Sequence, residues 1–325
     1  MKNVLICGGA GYIGSHMVKL LAEAGYDVTT FDNLSTGHRE AVKWGHWFEG
    51  DLLDTLSLEA VFRKTKFDAV IHFAARSLVG ESMVRPSLYY QNNVVGTFNL
   101  LEKMVEHGVP SIVFSSTAAV YGEPQATPIH ESHPTLPINP YGRTKAAVET
   151  MLRDYAAAYR LRSVSLRYFN AAGADPEGSI GESHQPETHL IPNVLRSLLE
   201  TERVLQIFGD DYPTPDGTCV RDYIHVSDLC DAHLLALDYL DKNEGAYSFN
   251  LGNGQGFSIL EVIRGAEEIV GKPIAYTLSP RRPGDPAVLV ADSQRARSEL
   301  RWRPRYTDIR EIIETAWQWH RNPTY

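Results

Sequence analysis

Tyr141 and Lys145 stand four residues apart, a spacing that sets both side chains on one face of a helix. A free phenol, with a pKa of about 10, is no base near neutrality. A neighbouring ammonium favours the phenolate, and the positive ring of an oxidised nicotinamide would reinforce it. Bringing the phenol down to neutral pH takes about 4 kcal/mol of differential stabilisation, within reach of two cations in a dry site. The hydroxyl of Thr117, at the end of the stretch Ser115-Ser116-Thr117, could hold a substrate hydroxyl on the other side. Such a trio would move a proton while a hydride moves to or from a nicotinamide.

An isolated Tyr-x-x-x-Lys fits any helix with a core tyrosine and a surface lysine, so its meaning depends on its surroundings. Upstream, the apolar run Asn3-Val4-Leu5-Ile6-Cys7 leads at once into Gly8-Gly9-Ala10-Gly11-Tyr12-Ile13-Gly14. Residues 15–24 then read as a helix, with Ile13, Met17, Leu20, Leu21 and Ala24 on one stripe. Gly8 permits the tight turn, Gly11 lets backbone approach a pyrophosphate, and Gly14 allows helix and strand to pack closely. The helix start supplies free amides and a positive dipole for phosphates. A second strand over residues 27–31 ends in Asp32, eighteen residues after Gly14. A carboxylate there accepts from a ribose diol and repels a 2′-phosphate, which favours NAD over NADP.

Apolar runs at 69–73, 111–114 and 163–168 predict further strands, with a weaker one at 47–49. Helical patterns fill the gaps, notably Val94, Phe98, Leu101 and Val105, then Val148, Leu152, Tyr155 and Tyr159. Asn139-Pro140 offers a cap and a first-turn residue to the helix bearing Tyr141. Alternation of this kind predicts an α/β fold, a doubly wound parallel sheet of Rossmann type covered on both faces. Catalytic groups then belong at the carboxyl ends of the strands.

From about residue 175 the alternation breaks, and long loops at 210–217 and 280–286 follow. The expected division is a dinucleotide-binding domain over 1–174 and a smaller α/β substrate-binding domain over 175–325, with some segments interleaved. Loops hung over a rigid sheet tend to carry binding groups. Arg221 and Arg282 are candidates for a diphosphate, because guanidinium forks match phosphate oxygens.

With 325 residues the chain can bury a large core. Its 31 basic and 40 acidic residues give a net charge of −9 without a long basic run, so a nucleic-acid partner has no electrostatic support. Cysteines at 7, 219 and 230 show no paired metal spacing and no disulfide framework. The absence of a charged leader and of an apolar run near 18 residues predicts a soluble, cytoplasmic protein with no membrane partner.

With these residues assembled, the chain resembles the extended short-chain dehydrogenase/reductase family, on its branch of UDP-sugar 4-epimerases, from about residue 2 to about residue 320. The resemblance is carried by Phe31-Asp32-Asn33-Leu34, His72-Phe73-Ala74-Ala75, Val79-Gly80-Glu81-Ser82, Tyr90-Gln91-Asn92-Asn93-Val94 and Leu166-Arg167-Tyr168-Phe169-Asn170. More specific are Phe208-Gly209-Asp210-Asp211-Tyr212-Pro213-Thr214, Val220-Arg221-Asp222-Tyr223-Ile224-His225-Val226 and Arg281-Arg282-Pro283-Gly284-Asp285.

What the resemblance implies is an NAD held throughout turnover and a UDP-sugar substrate, with glucose/galactose, xylose/arabinose and N-acetylated hexosamines all open and glucose/galactose favoured as the main pair. Tyr141 would take the proton from the sugar 4-hydroxyl; Lys145 would contact the nicotinamide ribose and depress the phenol; Thr117 would position the hydroxyl. Besides the glycines, Tyr12, Ile13, Asp32, Asn33, Asp51, Leu52, Phe73, Ala74, Asn92, Ser115, Tyr168 and Phe169 match positions lining the cofactor. Asn170, His189, Leu190, Arg221, Tyr223, Arg282 and Asp285 match positions facing the nucleotide sugar. Leu289 matches a position flanking the sugar pocket, and it reads equally as a plain strand residue of Val288-Leu289-Val290. A family lysine after the Phe-Ala-Ala segment is missing, with Ser77 in its place. The resemblance also implies a homodimer paired through the helices over 141–159 and 88–105, whose apolar positions occupy more than one stripe.

Three other chemistries compete. Related dehydratases place Asp-Glu directly after the threonine, and related decarboxylases keep the Glu. Ala118 and Ala119 stand there, and neither transfers protons. A non-catalytic NAD sensor would have no need of Thr117, Tyr141 and Lys145 together. A metal hydrolase built on His184 and His189 lacks a third ligand in the sequence pattern, so no metal is expected.

Overall fold

The structure, a computed structural model, describes residues 2–200, 203–282 and 285–325. Pro283 and Gly284, part of the 280–286 loop named above, lie outside the described residues. Strands form where the apolar runs stand: β1 (Asn3–Cys7), β2 (Asp27–Asp32), β3 (His46–Glu49), β4 (Ala69–His72), β5 (Ser111–Ser115) and β6 (Arg162–Tyr168). Between them run α1 (Tyr12–Glu23), α2 (Thr55–Lys64), α3 (Val79–Val84), α4 (Pro86–Tyr89), α5 (Gly96–Glu106) and α6 (Pro140–Tyr159). Asn139 caps α6 by accepting from the Gly142 amide at 2.8 Å, with Pro140 in the first turn.

One expected element divides. The helix predicted over 88–105 is α4, a six-residue π-helical stretch Tyr90–Val95, and then α5. The widened turn brings the Asn93 amide inward, where Nδ2 donates to Thr144 Oγ1 and to the Arg76 carbonyl, both at 3.0 Å. A tertiary contact of this kind stabilises a π turn that local spacing does not encode.

The second half adds β7 (Asn170–Ala172), α7 (Leu190–Leu199), β8 (Leu205–Phe208), β9 (Val220–Arg221), β10 (Tyr223–His225), α8 (Val226–Leu240) and β11 (Ala246–Leu251). It ends with β12 (Phe257–Ser258), α9 (Ile259–Val270), β13 (Tyr276–Ser279), β14 (Val288–Leu289) and α10 (Ile309–Arg321). Ser258 and Glu261 form a reciprocal capping box at the start of α9.

Seven strands make one parallel sheet in the order β11-β6-β5-β4-β1-β2-β3. Chain order reverses between β1 and β4, so a crevice opens at their carboxyl ends. Val4 and Ile6 of β1 pack with Met17, Val18 and Leu21 of α1 and Leu229 and Leu237 of α8. Leu5 and Cys7 face the other way, against Leu58 and Phe62 of α2, Leu101 of α5 and Leu152 of α6. This is strand alternation buried on both sides. Although they follow residue 175, α8 and β11 lie with this sheet, whereas α7, α9 and α10 enclose a separate cluster including Val194, Ile263 and Ile312. Among the described residues no helix is long and apolar enough to cross a membrane.

Candidate active site

The turn after β1 shows why its glycines are needed. Gly8 has φ +85°, and a Cβ there would sit 2.5 Å from the Ala74 nitrogen. A Cβ at Gly14 would lie 2.0 Å from the Gly8 carbonyl oxygen. Gly11 differs: its added Cβ would meet that same oxygen at 3.4 Å and otherwise open space among the described residues. No side chain among them caps α1 at Gly11, so its first amides and its positive end face the crevice. A dinucleotide phosphate fits such a cradle.

Around this turn the expected cofactor residues gather. Asp32 ends β2, with Oδ2 accepting from the Ala10 amide and Oδ1 from the Leu34 amide, each at 2.9 Å. Burial raises its carboxyl while these amides oppose the shift. Each oxygen keeps a lone pair for a further donor. Asn33 Nδ2 donates to Asp51 Oδ2 at 2.9 Å, and Leu52 is buried beside them. The amides of Phe73 and Ala74 both bond the Cys7 carbonyl, at 2.8 and 3.0 Å. Asn92 donates to Asn93 Oδ1 at 3.0 Å. Ile13 packs onto the core, and the Tyr12 hydroxyl donates to the Gly173 carbonyl at 2.6 Å. That phenol is therefore committed to the second half of the chain.

Thr117, Tyr141 and Lys145 come together beyond the end of β5. Thr117 opens a short 3-10 turn over Ala118–Val120, its hydroxyl accepting from the Ala119 amide at 3.2 Å. Burial raises the Tyr141 phenol, and its hydrogen bond with Thr117 opposes the rise. Lys145 Nζ donates to the Ser115 carbonyl at 2.7 Å and lies 6.0 Å from the Tyr141 ring centre. Burial pushes this ammonium down to about 7, against the pull of Glu149. The polypeptide by itself holds this phenol above its ordinary value, because burial outweighs the Thr117 hydrogen bond; the expected lowering calls on the positive nicotinamide together with Lys145. Ser115 Oγ and the Tyr168 hydroxyl are hydrogen-bonded, and Phe169 packs against the cluster of Val120, Tyr121 and Ile129, as does Leu289.

In the second half, Asn170 and Tyr223 are register partners between β7 and β10. Arg221 forms an ion pair with Asp285, so the two expected ligands meet each other. Arg282 covers the Phe208 ring at 4.1 Å. Leu289 pairs in register with Arg221 and also joins the Phe169 cluster, which serves the strand reading as well as the pocket reading. His189 precedes α7 and Leu190 begins it. His189 Nδ1 lies 2.5 Å from Glu182 Oε1.

Three groups escaped the sequence reading. Asp222 accepts from the amides of Ala291, Asn253 and Gly254 at 3.1, 2.8 and 3.1 Å, and burial pushes its carboxyl up to about 6. Its signal was its place between Arg221 and Tyr223. Behind Thr117, Tyr141 and Lys145, buried Arg167 and Glu149 form a bidentate pair at 2.9 and 2.5 Å, joined by Ser116 and Tyr121. Glu182 and Glu187 gather beside His184 and His189. The pattern His-x4-His therefore does acquire further candidate ligands, because the loop folds back on itself.

Comparison with known proteins gives a consistent picture. The protein-family model described as the NAD dependent epimerase/dehydratase family matches residues 4–252. A UDP-glucose 4-epimerase of Halalkalibacterium halodurans is 54% identical over 318 residues, covering 98% of this chain and 95% of that protein. The crystal structure of UDP-glucose 4-epimerase from Brucella ovis in complex with NAD is 50% identical, with TM-score 0.95 and 98% of each chain covered. That from Bifidobacterium longum in complex with NAD+ and UDP is 41% identical, with TM-score 0.94 and 99% of each chain covered.

Proposed function

The chain belongs to the NAD dependent epimerase/dehydratase family, and from that premise we propose that it interconverts UDP-glucose and UDP-galactose by inverting C4 of the sugar. The carrying observation is the convergence of Thr117, Tyr141 and Lys145 at the end of β5, beside a glycine turn open to a dinucleotide. Ala118 and Ala119 follow Thr117 and leave no side chain to drive elimination of water.

NAD would be held by the amides at Gly11 to Ile13, by Asp32 at the adenosine ribose, and by Lys145 and Tyr168 near the nicotinamide. When bound it would supply a hydride acceptor and donor at C4 and a positive charge beside the phenol. Tyr141 removes the proton of the 4-hydroxyl and later returns one to the 4-keto oxygen. Thr117 accepts or donates to that oxygen and holds it in reach. Between the two transfers the keto sugar turns about its diphosphate link, so the opposite face meets the same groups. Arg221 and Arg282 hold the diphosphate through this turn, while Asn170, Tyr223, Asp285 and the start of α7 at His189 and Leu190 line the nucleotide side. Keeping the diphosphate fixed while freeing the sugar is the division of labour that epimerisation requires.

Residues 1–174 thus serve mainly the cofactor and 175–325 mainly the substrate, with 226–251 interleaved. We assign the protein to the cytoplasm and to a homodimer. Val95, at the end of the π-helical stretch, and Phe98 of α5 remain 45% and 46% exposed, and apolar side chains in that position favour pairing with a second copy.

Incubating the purified protein with UDP-glucose, UDP-galactose and UDP-N-acetylglucosamine, and separating the products by chromatography, tests the reading. Interconversion of the first two, with poor turnover of the third, is expected because branched Leu289 offers an acetamido group no hydrogen bond. Failure to epimerise either hexose overturns the proposal.

A further inference from the structure

The segment between β7 and α7 carries a cluster that the proposed reaction does not use as such. The ligand-type atoms of Glu182, His184, Glu187 and His189 all lie within 4.8 Å of one another. His184 Nδ1 is 3.2 Å from Glu182 Oε1 and 3.8 Å from Glu187 Oε2. His189 Nδ1 is 2.5 Å from Glu182 Oε1 and 3.5 Å from Glu187 Oε1.

The polar accounting within the cluster is incomplete. Glu187 has a side chain 0% exposed, and its Oε1 accepts from the amides of Thr188 and His189 at 2.8 and 2.9 Å. Its Oε2 has no hydrogen-bond partner among the described residues, and neither has His184 Nδ1. Arg196 is the nearest guanidinium, 4.0 Å from that oxygen and beyond hydrogen-bond reach. A buried carboxylate oxygen and an imidazole nitrogen left unmatched on one small space need an explanation.

We propose that Glu182, His184, Glu187 and His189 form a structural site for one zinc ion. Tetrahedral zinc, with bonds of about 2.0–2.2 Å, holds its ligand atoms about 3.3–3.6 Å apart. The 3.2 and 3.8 Å separations of His184 Nδ1 from Glu182 Oε1 and Glu187 Oε2 fall close to this, and the 2.5 Å contact of His189 opens by about 1 Å as the ion enters. Two carboxylates balance the double charge, and two imidazoles suit zinc better than magnesium or calcium. Four protein ligands close the coordination sphere, the mark of a structural rather than a catalytic ion. The second cluster of this kind, Glu59, Glu106 and His107, differs because Lys103 and Arg63 already bond Glu59.

The ion would pin the loop that launches α7. Trp319 Nε1 donates to the Glu182 carbonyl at 3.0 Å, and the His184 ring lies 6.4 Å from that of Tyr12. It therefore ties the start of α7 to α10 and to the first turn of α1.

The purified holoenzyme, stripped with a chelator of divalent ions and dialysed, is titrated with zinc chloride by calorimetry. One ion per chain with submicromolar affinity is expected, together with a melting temperature raised by several degrees. Glu187→Gln, which keeps the Oε1 acceptor, and His184→Ala should each weaken zinc at least 10-fold, whereas Glu106→Gln should not. Cobalt in place of zinc should give the intense visible bands of a four-coordinate ion, a readout that needs no variant. Wild-type binding weaker than about 100 μM, unaltered affinity in both cluster variants, or a six-coordinate cobalt spectrum overturns the assignment.

Discussion

The ammonium of Lys145 bonds the main-chain carbonyl of Ser115 at 2.7 Å rather than the phenol of Tyr141, whose ring centre is 6.0 Å away. Burial holds this lysine at about 7, below the ordinary lysine value of 10.5. A folded-state pKa lowered in this way means that the unfolded chain binds more protons between about pH 7 and 10.5. Stability rises with pH across that window, by up to about 1.4 kcal/mol per pH unit from this group. Urea melts of the cofactor-free chain at pH 7, 8 and 9 should show a steeper gain than the Lys145→Met variant. Parallel pH profiles for the two would remove Lys145 as the titrating group.

Tyr141→Phe should leave nucleotide binding nearly intact and lower turnover by about 10²- to 10⁴-fold, the usual worth of a positioned acid–base group. Steady-state rates and bound-nucleotide content decide it. Near-normal epimerisation by the Phe variant would show that another group moves the proton.

The three glycines of the first turn should separate into two behaviours. Gly14→Ala places a Cβ 2.0 Å from the Gly8 oxygen, an overpacking that costs about 1–3 kcal/mol. Gly11→Ala meets its neighbour at 3.4 Å and should melt close to the unmodified chain, yet release far less NAD on denaturation. Equal destabilisation by the two substitutions would sink the assignment of Gly11 to the cofactor cradle.

Arg167 and Glu149 are buried and paired at 2.9 and 2.5 Å. Removing one partner, by Arg167→Met or Glu149→Leu, leaves an uncompensated buried charge and should cost about 3–5 kcal/mol. The double variant should lose less than the sum of the singles in denaturant melts. Strict additivity would mean that the pair is not coupled.

Light scattering at micromolar protein should give twice the chain mass of 36.3 kDa. Phe98→Asp, on the exposed face of α5, should shift the population to single chains by weakening association at least ~10-fold. A single-chain mass for the unmodified protein would end the homodimer proposal.

How much of this was legible follows from the range of the interactions. Gly8 and Gly14 could be read because their backbones tolerate no Cβ, a local constraint. The strands β1 to β6 could be read because buried parallel strands are nearly unbroken apolar runs. β11 could not: Ser248 and Asn250 interrupt its Tyr247, Phe249 and Leu251, and Asn250 is satisfied by Glu131, Tyr121 and the Ile129 carbonyl, over a hundred residues away in sequence. The π turn owes itself to Asn93 reaching Thr144, and the Arg221–Asp285 pair joins residues 64 apart in sequence. Neither leaves a periodic trace. Glu182 and Glu187 each precede one of the histidines by two residues in sequence, but their meeting depends on how the loop closes.

The arrival of β11 at the edge of β6 also orders events on the ribosome. Its six pairs with β6 run from Ala246↔Ser163 to Leu251↔Tyr168, so the large sheet cannot be completed from the first 174 residues. At about 5–20 residues per second, the ~80 residues separating Tyr168 from Ala246 take several seconds to emerge. Throughout that interval the nascent chain presents β6 as an unpaired edge, the feature through which strands recruit one another wrongly. Helix α8, made just before β11, packs on β5 and β6 in the folded protein and covers that apolar face. The last strand then seals it.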